Sequence, residues 1–324
     1  MTLYPLIFQP IFKDRVWGGR RLETLYGKKL PPAIPVGESW EVSDRPGDLS
    51  VVVNGPLAGK DLHWLIERYR TALVGHSSLH NGRFPLLIKI LDAREKLSLQ
   101  VHPPAQKARE LGGEPKTELW YIADADPGAE LFVGLKQGIT RAEFEKRIAA
   151  GGIEDCFHRI PVKSGDAMFL PSGRVHAIGA GLVIFEIQQN SDTTYRVFDW
   201  NRVGLDGKPR ELHLRQSLES IDFTDFEPAL VPPASPQPSA ISIRPLVRDP
   251  LFKVSACRLP AKTQIALPAG EMRILGVTSG AAEVHCSSFV QHLGPGTFCL
   301  VPAGLARECI LLTDTGAEYL ETLA

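Results

Sequence analysis

Apolar residues along this chain fall into many short runs broken by proline and glycine, which favours strands joined by turns over long helices. The runs "LSVVV" (49–53), "PLLIKIL" (85–91), "ELWYIA" (118–123), "DAMFLP" (166–171) and "LVIFEIQQ" (182–189) read as strands. "LSLQVH" (97–102) alternates strictly, which places Leu97, Leu99 and Val101 on one face and Ser98, Gln100 and His102 on the other. Three segments carry helical spacing. Residues 61–74 put Leu62, Leu65, Ile66, Tyr69 and Leu73 on one stripe. Residues 140–150 open with a Thr140/Glu143 capping box and stop at Gly151-Gly152. A third helix is expected over 211–220. The prediction is a mainly β protein with small helical insertions.

The stretch "EPALVPPASPQPSAIS" (227–242) lacks periodicity and is rich in proline, which cannot serve an internal strand ladder. It reads as a linker or crossing segment between a first domain, 1–226, and a smaller all-β domain, 243–324. A weak internal repeat supports two related β units: "GDAMFLPSGRVH" (165–176) aligns without gaps on "GTFCLVPAGLAR" (296–307). His176 of the first copy is replaced by Arg307 in the second. If His176 is a ligand, the second unit cannot supply its equivalent and is structural.

Composition narrows the function classes. With 324 residues, 36 basic and 37 acidic, the chain has a net charge of −1 and no electrostatic reason to bind nucleic acid or an anionic membrane. Its apolar runs are too short to span a bilayer, and its first residues lack the pattern of a signal peptide. Five cysteines with no CxxC pair argue against a disulfide framework or a zinc ribbon, so a reduced, cytoplasmic protein is expected.

The polar residues that break the strand pattern are the candidate chemistry. Gln100 and His102 share a strand face; Glu118 opens a strand; His176 follows a proline-glycine turn. Two imidazoles and a carboxylate suit a divalent ion such as Zn²⁺, and without thiolates they leave room for water or substrate. His63, His76, His80, His158, His213, His285 and His292 read instead as satisfied polar residues. No GxxxxGK[ST] loop and no GxGxxG after a strand is present, so nucleotide binding is not indicated.

Six motifs in order resemble one family. "RVWGG" (15–19), "GESWEVS" (37–43), "LSLQVHP" (97–103), "KTELWY" (116–121), "PSGRVHAIG" (171–179) and "QQNSDTTYRVFDW" (188–200) are similar to the motif set of type I mannose-6-phosphate isomerases, in particular the short bacterial branch. The resemblance covers about residues 5–220. It implies a cupin-type jelly-roll β-barrel holding one zinc ion, a second, smaller cupin-like barrel after it, and interconversion of mannose 6-phosphate and fructose 6-phosphate. Carried over by position, the zinc ligands are Gln100, His102, Glu118 and His176, and Arg196 is the active-site arginine. Lys89, Ser98 and Lys116 fall on positions associated with the sugar phosphate. Lys116 shares a strand face with Glu118 and is a candidate base; Glu186 is a rival, and Glu41 a weaker one. The implied partner is a small sugar phosphate, and the expected state a monomer or weak homo-oligomer. Two alternatives stand beside this reading: another metal-dependent cupin enzyme, and a non-catalytic sugar-binding or regulatory cupin.

Overall fold

The computed structural model describes residues 3–233, 241–268, 270–305 and 309–324. Two antiparallel sheets carry the candidate chemistry. The larger has six strands, in the spatial order Ala167–Leu170, Glu118–Ala125, Leu182–Gln189, Leu86–Ala93, Val36–Val42 and Ile11–Gly19. The smaller has five: Phe157–Pro161, Glu130–Leu135, His176–Ile178, Leu99–Val101 and Tyr195–Phe198. They close over one another, with the Trp120 ring of the first meeting the His176 ring of the second edge-on at 5.2 Å. This is the mainly β, jelly-roll arrangement expected.

The apolar run 182–189 forms the strand Leu182–Gln189, and its continuity has a simple cause. Both faces are buried. Phe185 and Ile187 pack outward with Phe298 and Leu320, while Leu182 and Ile184 pack inward with Trp120. "LSVVV" behaves differently. Asp48–Leu49 pairs with Asp44–Arg45, and Val51 and Val52 make only isolated bridges. Ser43 and Ser50 satisfy each other there: the Ser43 N–H donates to Ser50 Oγ, and the Ser50 N–H donates to the Ser43 carbonyl. Such local bonds compete with a ladder.

Two helices form where expected. Leu62–Val74 is capped by Asp61, and Arg141–Ala150 by Thr140, each side chain accepting from a backbone N–H of the first turn. The Glu143 carboxylate pairs with Arg147 at 2.8 Å, not with the cap backbone. The third helix, Leu214–Ser220, starts later than predicted. Its forerunner His213 is tied to the strand Tyr195–Phe198, donating its N–H to the Arg196 carbonyl and accepting the Arg196 N–H at Nδ1.

After the proline-rich stretch, the described residues between 242 and 323 form further antiparallel sheets. The two copies of the repeat place strands at matching positions, Ala167–Leu170 and Phe298–Val301, each followed by a turn. Arg307 lies outside the described residues. Near the N-terminus, Leu6–Ile7 pairs with Phe298–Val301, and the Phe185 and Phe298 rings lie 5.3 Å apart. The outer face of the six-stranded sheet therefore rests on the C-terminal sheet. Its inner face is left to line the site.

One close approach sets the rim of the site. A Cβ on Gly18 would lie 2.4 Å from the Gly37 nitrogen, and a Cβ on Gly37 would lie 2.5 Å from Arg15 Cβ. The glycines of "RVWGG" and "GESWEVS" thus let two strands touch backbone to backbone, bringing Arg15 within 2.6 Å of Glu38. Backbone cannot yield as a flexible side chain does. Gly18→Ala is expected to cost about 3 kcal/mol or more of unfolding free energy, read from the urea midpoint.

Candidate metal centre and active site

The strand face that alternation assigns to Gln100 and His102 points between the two sheets. His176 lies directly opposite Gln100 on one neighbouring strand, and Arg196 opposite it on the other. Leu99 and Val101 pack the other way, into a cluster with Phe132 and Phe157. Glu118 comes from the facing six-stranded sheet. His102, Glu118 and His176 converge, with one donor atom from each lying within 4.8 Å of the others. The Glu118 Oε1 is 3.3 Å from His176 Nε2 and 3.6 Å from His102 Nε2.

Those separations match a coordination polyhedron. Ligands about 2.0–2.1 Å from a tetrahedral ion stand about 3.3–3.4 Å apart. Each imidazole is also prepared: His102 Nδ1–H donates to the Thr193 carbonyl at 2.8 Å, and His176 Nδ1–H to the Arg174 carbonyl at 2.9 Å. That selects the tautomer whose Nε2 lone pair faces Glu118, as outer-shell partners do for metal ligands. The His102 Nε2 and both Glu118 oxygens are buried without a hydrogen bond. Lys116 Nζ lies 2.8 Å from Glu118 Oε2, an ion-pair contact outside hydrogen-bond geometry. The donor set therefore fits a divalent ion.

Protonation states agree. Burial, then Lys116, push His102 down to about 4 against the pull of Glu118. Burial likewise lowers His176, with Glu118 opposing. For Glu118, burial raises the carboxyl, but Lys116 and the two histidines outweigh it and hold the group well below the usual carboxylate range. Neutral imidazoles beside an ionised carboxylate are the forms a metal requires.

Above the cluster opens a cavity of about 570 Å³, with Gln100 and Lys116 in its lining and Arg196 and Arg210 among the other residues around it. Gln100 Nε2 is 3.3 Å from His176 Nε2. From Lys116 a row of alternating charge runs through the wall. Lys116 is 3.8 Å from Glu186, Glu186 is 3.3 Å from Lys89, and Lys89 is 3.4 Å from Glu38, which binds Arg15. Register explains the row: Glu186 sits opposite Lys89 on one side and Trp120 on the other, and Lys89 sits opposite Trp40. Indole N–H groups complete it, Trp120 donating to Glu186 at 2.9 Å and Trp40 to Glu38 at 2.7 Å. Burial would lower the Lys89 ammonium, but Glu38 and Glu186 hold it up, and it stays charged. Burial would raise Glu38; Lys89 and Arg15 bring it down to about 2.

Ser98 lies at the mouth and accepts from Arg196 Nε at 3.3 Å. Glu41 lies outside this cavity lining, paired with Lys28 at 2.8 Å and accepting from Ser39. It belongs with the packing, not the chemistry. Glu38, on the same strand, is the acidic residue that reaches the cavity. Its signal was the alternation in "GESWEVS", where Glu38 and Glu41 differ in parity. Arg15 and Arg210 carried no local signal of their own.

Comparison with known proteins places this geometry. Residues 6–131 match the family model described as phosphomannose isomerase type I, catalytic domain. A mannose-6-phosphate isomerase of Streptococcus mutans is 37% identical over 299 residues, 92% of this chain and 92% of that one. The chain belongs to the type I mannose-6-phosphate isomerase family. A crystal structure of the mannose 6-phosphate isomerase of Bacillus subtilis superposes with a TM-score of 0.88 at 31% identity, covering 99% of this chain and 100% of that one. A zinc-bound mannose 6-phosphate isomerase shares the fold, with a TM-score of 0.77 at 17% identity over 99% of each chain. Among the described residues no helix is long and apolar enough to cross a membrane.

The buried imidazoles of this family member predict acid sensitivity with a defined sign. Unfolded, His102 titrates near 6.5; folded, near 4. Between those values only the unfolded chain takes the proton, so stability falls as pH drops from about 6.5 towards 4. Denaturant melts of metal-stripped protein across this range should show a falling midpoint, and a His102→Gln variant should show a shallower fall.

Proposed function

We propose that this chain interconverts mannose 6-phosphate and fructose 6-phosphate at one zinc ion held by His102, Glu118 and His176, with Gln100 as the fourth donor. The observation that carries this is the convergence of two neutral imidazoles and an unsatisfied carboxylate beneath a cavity lined by Glu186 and Lys116. Relatives named mannose-6-phosphate isomerase over nearly the whole chain support it. When bound, the ion supplies Lewis-acid polarisation of the sugar carbonyl and stabilises the charge developing on its oxygen.

The chain's own residues do the rest. Glu186 is the group we assign to proton transfer. Its Oε2 accepts from Trp120, while Oε1 faces the Lys89 and Lys116 ammonium groups at 3.3 and 3.8 Å, beyond a tight hydrogen bond. That leaves lone-pair capacity for a carbon-bound proton. In the direction from aldose to ketose, Glu186 takes the proton from C2 and returns it to C1 of the enediolate. Lys116 gives a proton to O1 and recovers one from O2, so no net proton is gained or lost. Lys89 stays charged and fixes Glu186 in place. Arg196, whose planar cation does not titrate, and Ser98 meet the phosphate at the mouth.

A coupled assay with mannose 6-phosphate tests the assignment. Purified protein should carry about one zinc per chain and lose activity on chelation, with recovery on adding zinc. No turnover by metal-replete protein contradicts it. His176→Ala should lose most of the bound metal. Glu186→Gln should keep its zinc yet lose about 10²- to 10⁴-fold in kcat, the usual weight of a general acid–base group; an unchanged kcat would remove Glu186 from the mechanism.

A further inference from the structure

Two guanidinium groups share one carboxylate beside the cavity, and one of them, Arg210, lines it. Asp199 pairs with Arg210 through Nε at 2.6 Å and through Nη2, and with Arg202 at 2.9 Å. Arg196 gives Nε to Ser98 and Nη1 to the Glu211 carbonyl, and forms no ion pair among the described residues. Deeper in the cavity the balance differs. Lys89 faces Glu38 and Glu186, and Lys116 faces Glu118 and Glu186. The inner lysines are matched by carboxylates, whereas Arg196 lines the cavity beside Arg210 with no ion-pair partner among the described residues. Burial and then the nearby Arg210 lower Arg196, with Asp199 opposing.

The backbone delivers Arg210 deliberately. Trp200 and Asn201, both non-glycine, adopt left-handed φ values of 58° and 55°, a strained pair that turns the chain back over the cavity. Trp200 is pinned by its indole N–H to the Leu97 carbonyl at 2.6 Å and by the Lys96 ammonium 3.6 Å from its ring centre. Beyond it the loop closes on itself, the Gly204 N–H donating to the Lys208 carbonyl and Val203 bridging Pro209. Gly204, Leu205, Asp206 and Arg210 of this loop line the same cavity as Arg196 and Ser98.

We infer that Arg210, presented by the loop 201–212, binds the substrate phosphate together with Arg196 and sets the preference for phosphorylated over free sugar. This rests on the function proposed above. A phosphate dianion would pair the Arg196 guanidinium, which has no ion-pair partner among the described residues, and the fork of Arg210 suits it too: Nε and Nη2 engage Asp199, leaving Nη1 for the ligand. Arg202 keeps Asp199 paired if Arg210 is replaced.

The test compares wild type, Arg210→Gln and Arg210→Lys, with folding checked by thermal melting and zinc content measured. For Arg210→Gln, KM for mannose 6-phosphate should rise about 10- to 100-fold, the range for losing a charge-assisted pair, with kcat changed far less. Activity on unphosphorylated mannose should not fall, and Arg210→Lys should recover part of the loss. Calorimetric titration with inorganic phosphate reads the subsite without turnover and should show binding weakened by a similar factor. An equal loss on mannose and mannose 6-phosphate, or unchanged KM and phosphate binding, overturns the inference. If wild type binds phosphate through Arg210 but turns over no mannose 6-phosphate, the functional assignment fails and the phosphate subsite stands.

Discussion

Glu118 is the constraint around which this site is arranged. It is fully buried and ionised, and neither of its oxygens accepts a hydrogen bond. An isolated buried carboxylate would cost several kcal/mol and would protonate instead. Here Lys116 holds it charged, while two imidazoles, each locked by a carbonyl behind it, turn lone pairs and not protons towards it. Lone pairs facing an anion repel. What resolves the repulsion is a cation between them, so the folded chain presents a site whose electrostatics call for a metal.

Keeping Lys116 against Glu118 has consequences further along the wall. Lys116 also faces Glu186, Glu186 faces Lys89, and Lys89 faces Glu38, which reaches Arg15 at the rim. Each buried charge has an opposite neighbour on both sides, which is how such a row avoids the desolvation penalty of a single unpaired ion. Tryptophan N–H groups occupy the remaining carboxylate lone pairs, so the row is rigid as well as neutral. The mouth breaks the pattern: Arg196 there has no ion-pair partner among the described residues. Under the proposed function, a sugar phosphate would turn its carbonyl end towards His102, Glu118 and His176 and its dianion towards Arg196.

How much of this was legible in the sequence depended on whether the information was local. Strand alternation put Gln100 and His102 on one face, and register confirms that face as the inner wall. The capped helices were local too, because Asp61 and Thr140 act within one turn. The row Glu38, Lys89, Glu186 and Trp120 depends on the pairing of four strands distant in sequence, which no single segment encodes. Choosing between Glu38 and Glu41 needed the facing of one strand relative to its neighbours. Arg210 was out of reach, because its place follows from two left-handed residues at 200 and 201 that composition does not announce. The late start of the helix Leu214–Ser220 has a similar origin, in the hydrogen bonds that tie the His213 N–H and ring to Arg196 of a strand.

The central claim is that the proposed metal is bound by nitrogen and oxygen donors alone, although the chain holds five cysteines. All five are buried, and none lines the cavity. X-ray absorption at the zinc edge of the zinc-loaded protein tests this most directly. The account predicts nitrogen and oxygen scatterers only, at about 2.0–2.2 Å, with two imidazoles in the shell. A sulfur scatterer at about 2.3 Å, or a shell without imidazole, would contradict it.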